Sequence, residues 1–158
     1  MNIDSAEFRR ILGHWATGVA VVAARTASGE PVGLTANAVA SLSLEPPLVL
    51  VCVDCCSDTH DHMRAANAFS VNVLQADGER VARRFAENGQ QKFEGIAWSA
   101  GSTGAPILQD ALAWVDCRLT QTYEGGDHNI FVGLVVEGGA REGVPLLYYR
   151  GGFGRFSL

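Results

Sequence analysis

The feature that most constrains this chain is its punctuation. Short β-branched and apolar runs recur from Val19 to Arg150, each cut off by glycine, proline or an acidic or amide turn residue. With 18 glycines and 5 prolines, the chain reads as short strands joined by turns. The expected strands are residues 19–24, 32–39, 48–53, 69–74, 114–123, 130–137 and 146–150. The run after Pro46-Pro47 is apolar on both faces, whereas Ser70 and Asn72 alternate with Val71 and Val73. Glu124-Gly125-Gly126-Asp127 joins the two longest strands. Residues 4–15 read as a helix, with Asp4 and Glu7 at capping-box spacing and Phe8, Ile11, Leu12 and Trp15 expected to face the core. Residues 59–66 form a second helix with Asp58 as N-cap. Residues 79–86 form a third, with Val81, Ala82 and Phe85 inward and Asn88-Gly89 ending it. About six or seven strands with peripheral helices predict a mainly β fold, and a closed antiparallel barrel would remove exposed edges.

Residues 1–158 hold no linker, low-complexity tract or repeat, so one domain is expected. Apolar residues make up 47% and charged residues 18%, an ordinary globular balance. The net charge of −5 and the lack of a basic run argue against nucleic acid. Any anionic ligand must therefore be held by local geometry. No apolar run approaches the roughly 18 residues that cross a bilayer, so no membrane role is expected. The polar start, Met1 to Arg10, lacks a signal core, and a cytoplasmic location is expected. Cys52, Cys55 and Cys56 crowd together far from Cys117, poor spacing for a disulfide framework, and are expected to be reduced.

Four segments offer chemistry. Gly33 to Ser43 mixes small residues with Thr35, Asn37, Ser41 and Ser43, letting a flat ring approach the backbone and find donors and acceptors. The same composition also suits an ordinary strand and loop. Cys55-Cys56-Ser57-Asp58-Thr59-His60 leads into a helix, where Ser57 and Thr59 could donate to a phosphate, or simply cap the helix. Within that stretch Cys52, Cys55, Cys56, His60 and His62 offer a zinc alternative, and a cysteine at the helix start a reactive thiol. His128 follows Gly125-Gly126-Asp127 and is either a solvated turn residue or a positioned imidazole. Tyr148 to Phe156 alternates aromatics and arginines with glycines and could stack on a ring or close the core. There is no G-x-G-x-x-G, P-loop or G-x-S-x-G, so neither a Rossmann site nor a hydrolase elbow is present.

Taken in order, several segments resemble the short-chain flavin reductase family, the reductase components of two-component flavin-dependent monooxygenases. Phe8-Arg9-Arg10 through Thr17-Gly18-Val19 is similar to the family's opening. Gly33 through Pro47, followed by Leu48-Val49-Leu50-Val51-Cys52-Val53-Asp54, is the most specific stretch. Phe69 to Leu74, Gly126-Asp127-His128 with Val132-Gly133, and Leu147 to Gly152 complete the resemblance.

The resemblance implies a split β-barrel, a homodimer with flavin near its interface, FMN or FAD as bound flavin, NADH or NADPH as hydride donor, and an oxygenase that receives the reduced flavin. It implies that Thr35, Ala36, Asn37, Ala38, Ser41, Leu42 and Ser43 line the flavin ring and ribityl chain. Cys52, Val53, Asp54 and Ser57 would lie alongside, with Ser57 and Thr59 toward the phosphate. Phe85, Lys92 and Phe93 would close over the flavin, Tyr149 and Arg150 would contribute from the ending, and His128 would stand near the nicotinamide. Cys55 and Cys56 stand where many relatives carry a basic residue, which leaves Lys92 or Arg155 to supply charge to a phosphate. A split-barrel oxidase, a non-catalytic flavin-binding module and a metal-binding protein are the rival readings.

Overall fold

The computed structural model describes residues 2–89 and 91–157. In chain order the elements are α1 (Ser5–Leu12), β1 (Thr17–Gly18), β2 (Ala20–Arg25), β3 (Pro31–Ala36), β4 (Val39–Leu44), β5 (Pro47–Asp54), α2 (His60–Ala66), β6 (Ala68–Val73), α3 (Glu79–Ala86), β7 (Trp98–Ala100), β8 (Pro106–Leu108), β9 (Ala113–Gly125), β10 (His128–Ala140), β11 (Leu146–Tyr149) and β12 (Gly152–Arg155). A seven-stranded antiparallel sheet runs β3-β2-β6-β9-β10-β5-β4. A three-stranded sheet, β1-β11-β12, and the β7–β8 hairpin flank it.

The two edge strands of the large sheet, β3 and β4, are consecutive in the chain, separated only by Asn37-Ala38. The sheet therefore curls until its edges share one short segment, where the Cys52 N–H donates to Ala38 O at 2.9 Å. No β3–β4 ladder is present among the described residues. The barrel is split, as the resemblance implies, rather than closed as edge removal alone suggests.

Alternation along the strands sorts two apolar layers. Ala20, Val22 and Ala24 of β2 point into the barrel with Val49, Val51, Val53, Phe69 and Phe131. Val21 and Ala23 point outward under Ala82 and Phe85 of α3. This strand is buried on both faces, which explains its unbroken apolar sequence. Ser70 and Asn72, also fully buried, are satisfied by local partners: Ser70 Oγ donates to Pro106 O, and Asn72 Oδ1 accepts from Leu108 N at 2.8 Å.

Several expectations are corrected. The opening helix is Ser5–Leu12; Asp4 caps it through its Oδ1 and the Glu7 N–H, but the Glu7 carboxylate turns to Arg10. Its apolar stripe does not face the core: Phe8, Ile11, Leu12 and the following Trp15 are 57%, 41%, 50% and 75% exposed. The expected strand over 32–39 is two, because the chain turns from β3 into β4 at Asn37-Ala38. Asp58 does not cap α2; Thr59 takes that position, and Asp58 Oδ2 accepts from the Gly89 N–H at 2.9 Å, tying two loops. Helix α3 has its expected bounds, but Glu87 in extended conformation ends it, ahead of Asn88-Gly89.

Candidate functional site

A cavity of about 350 Å³ lies on the outside of the barrel, between the β3–β4 turn, the end of β5 and the C-terminal end of α3. One wall is Leu34, Thr35, Ala36, Asn37 and Ala38. A second is Cys52, Asp54, Cys56 and Ser57. Phe85, Ala86, Asn88 and Lys92 form the third, and the partly exposed His128 completes the lining. Register explains the assembly. In β5 the side chains alternate, so Val49, Val51 and Val53 are buried in the barrel while Cys52 and Asp54 face out. His128 opens β10 directly opposite Asp54 in the β5 ladder.

The lining is held by its own bonds. Thr35 Oγ1 donates to Ala82 O at 2.6 Å, locking β3 to α3. The Cys56 N–H donates to Asp54 Oδ1 at 2.8 Å. Lys92 Nζ donates to Gly33 O at 3.1 Å, its only hydrogen bond among the described residues. Burial lowers the Lys92 pKa, partly offset by the Asp58 charge. His128 Nδ1 and Asp127 Oδ1 are 2.7 Å apart, and this bond holds the Asp127 carboxyl below its usual range.

Two further cavities adjoin. One of about 860 Å³ shares Lys92 and is lined by Asp58, Thr59, His62, Gly89 and Phe93, among others. The other, about 460 Å³, shares Thr35, Asn37 and Ala86 and adds Arg83, Tyr148, Gly151 and Phe153. Thr59 and Phe93 thus belong to the larger cavity, beyond Lys92.

Eight expected site residues are not brought to the 350 Å³ cavity: Thr59 and Phe93, which line the larger one, and six others. Val53 points into the core, on the opposite face of β5 from Cys52. Ser41, Leu42 and Ser43 lie along the edge strand β4, with Leu42 48% exposed. Tyr149 faces away beside His14, and Arg150 occupies the turn after β11 with φ 49°. Their neighbours Tyr148 and Phe153 take the inward positions, 5.4 Å apart and edge-on, with Arg83 over the Phe153 ring. Sequence reading missed Leu34, Cys56, Ala86 and Asn88 as lining residues; strand parity and adjacency to Ser57 were the available signals for the first two. Arg155 lines none of these cavities, whereas Lys92 lines two.

The zinc alternative is not assembled. Among the described residues no group of three or more His, Cys, Asp or Glu is placed to hold a metal. His60 is buried edge-on to Phe131, its Nδ1 bonded to Asp61.

The sequence profile of the flavin reductase like domain matches residues 12–157. The chain belongs to that family. This flavin reductase-like chain is 46% identical, over 98% of its length and 82% of the relative's, to the reductase component of a 4-nitrophenol 4-monooxygenase/4-nitrocatechol 2-monooxygenase of Rhodococcus opacus. It is 41% identical to an FMN reductase (NADH) of Agrobacterium fabrum, over 98% of this chain and 87% of that one. The NADH:FAD oxidoreductase of Streptomyces globisporus, solved in complex with NAD and FAD fragments, superposes with a TM-score of 0.89 at 40% identity, covering 98% of this chain and 93% of that one.

Proposed function

We propose that this flavin reductase-like protein binds FMN or FAD non-covalently, reduces it with NADH or NADPH, and releases it to a flavin-dependent oxygenase. The observation that carries the reading is the convergence in one cavity of Thr35, Ala36, Asn37, Ala38, Cys52, Asp54, Ser57, Phe85, Lys92 and His128 from six separate parts of the chain.

The donor set fits such a guest. Small Ala36 and Ala38 leave room for a flat ring, and Asn37 and Ser57 offer donors and acceptors. Lys92 is a half-buried ammonium with three donors and a single carbonyl partner among the described residues, suited to a phosphate. When bound, flavin supplies the acceptor for a hydride from nicotinamide C4.

The protein's own contribution is orientation and charge. The Thr35 hydroxyl acts by holding the wall to α3, because its proton is already given to Ala82 O. Phe85 packs over Gly33 and gives the cavity a rigid floor. Asp127 fixes the His128 ring through Nδ1 and leaves Nε2 for the nicotinamide carboxamide. Tyr148 and Phe153, in place of Tyr149 and Arg150, extend an aromatic surface beside the cavity.

We infer a homodimer. The exposed apolar stripe Phe8, Ile11, Leu12 and Trp15 and the exposed Leu42 and Leu44 of the edge strand support it, since such surface is ordinarily covered. Ser41, Leu42 and Ser43 lie on this same edge strand, outside the 350 Å³ cavity. No helix among the described residues is long and apolar enough to cross a membrane. We assign the protein to the cytoplasm, where nicotinamide dinucleotides and reduced thiols coexist.

The test is steady-state oxidation of NADH and NADPH with FMN, FAD or riboflavin present and absent. Flavin-dependent turnover is expected with at least one pair. No flavin-dependent turnover with any pair overturns the reading.

A further inference from the structure

His128 has two neighbours of opposite burial. On one side, its bond to Asp127 lies at the surface, where Asp127 is 92% exposed and water screens the attraction. That bond sets the plane of the ring but not the direction in which the side chain leaves the strand. On the other side, Asn129 stands opposite Val53 in the β5 ladder, on the barrel face, and is 7% exposed. A buried amide costs stability unless it is paired.

Helix α2 supplies the pairing. In the orientation that satisfies the Asn129 amide, its oxygen accepts from Arg64 Nη2 at 2.9 Å and from His60 Nε2 at 3.1 Å, and its nitrogen donates to His128 O at 3.2 Å. The reverse orientation sets nitrogen against those two donors and oxygen against a carbonyl, and gains in return a weak contact from Cys55 Sγ at 3.6 Å. His60 is itself buried, edge-on to Phe131, with Nδ1 2.8 Å from Asp61 Oδ1. A ring that donates from both nitrogens is the imidazolium, and the Asp61 carboxylate is its counter-charge. Two cationic donors thus fix the amide oxygen, and the amide nitrogen fixes the carbonyl of His128.

We propose that Asn129 is a positioning residue for the reductase reaction: clamped by His60 and Arg64, it holds the peptide of His128 and so aims the imidazole at the nicotinamide. This rests on reading His128 as the residue that positions the nicotinamide. None of the residues of α2 lines the 350 Å³ cavity. The helix therefore acts on the nicotinamide through Asn129 and the His128 peptide.

Asn129→Asp separates positioning from folding. The carboxylate still accepts from both α2 partners but cannot donate to His128 O. Its melting temperature should match or exceed that of the wild type, and its FMN Kd should hardly move. The kcat/KM for the nicotinamide nucleotide should fall roughly two- to tenfold, the worth of one hydrogen bond. In a His128→Ala background the same substitution should cost nothing further, because the side chain that it aims is gone. Arg64→Met, at an exposed position, leaves the amide nitrogen in place and loosens its oxygen. A smaller loss is expected there, again absent in the His128→Ala background. Unchanged nucleotide kcat/KM in folded Asn129→Asp overturns the proposal; if that variant does not fold, unchanged kcat/KM in Arg64→Met does so. A loss of equal size in the His128→Ala background, or a parallel loss of FMN affinity, also overturns it. Wild-type nucleotide kinetics in His128→Ala itself removes the His128 reading, and this proposal with it.

Discussion

Phe85 lies over Gly33 so closely that a Cβ at residue 33 would stand 3.1 Å from the Phe85 ring and 3.1 Å from Val22 O. Phe85 itself is pinned edge-on against Phe93 at 4.9 Å. Phe85 therefore packs strand β3, helix α3 and the segment carrying Phe93 against one another. Gly33→Ala is expected to cost about 1–3 kcal/mol, the usual penalty for overpacking. Denaturant midpoints check this, and FMN affinity should weaken in parallel. Unchanged stability would mean that the ring can retreat and that the floor is soft.

Lys92→Met is expected to raise the Kd for FMN roughly tenfold, or about 1.4 kcal/mol, while riboflavin binding changes little. Titrating both ligands separates a phosphate contact from general damage. The pH dependence has a definite sign. Burial lowers the Lys92 pKa below the ordinary 10.5, so its contribution is present below that folded value and fades as pH rises through it. Wild-type FMN affinity should thus fall on the alkaline side earlier than an exposed lysine would allow. In Lys92→Met that limb should vanish.

His128→Ala removes the ring held by Asp127, on a side chain 43% exposed and outside the apolar layers. Stability should hardly change. The kcat/KM for the nicotinamide nucleotide should drop roughly tenfold, with flavin Kd unaffected. Paired kinetics and flavin binding on the same variant decide it. Lost flavin binding with unchanged nucleotide kinetics would move His128 to the flavin side.

Leu12→Glu places a carboxylate in the exposed stripe of α1, where the wild-type residue is 50% exposed. If a second copy covers this stripe, sedimentation should show a shift from dimer toward monomer, because an uncompensated charge is costly at a covered apolar surface. A wild-type protein that sediments as a monomer with flavin turnover intact would remove the homodimer.

Local order was legible in the sequence wherever it depended on neighbours along the chain. The bounds of α3, the Asp4 cap and the strand runs followed from spacing, capping and β-branching, because those are contacts between residues near in sequence. The run from Leu48 to Val53 is apolar on both faces in sequence, so only the burial alternation of β5 separates Val53 from Cys52 and Asp54. Long-range placement was not legible in this way. Whether the sheet closes depends on β3 and β4 reaching each other from opposite edges, a relation between strands that no local period encodes. Which of Tyr148 and Tyr149 faces inward depends on the register of β11 against β1 and β12, and β12, four residues with two glycines, has no alternation to read. The stripe of α1 announced an apolar partner, but the helix lies outside the barrel, leaving that face uncovered by this chain. The sequence by itself determined the three helices, most of the long strands and the chemistry they carry, but not β1, β7, β8, β12 or the break between β3 and β4. Only the tertiary structure decided which of those side chains share a cavity, because barrel curvature and strand register bring together residues as far apart as Thr35 and His128.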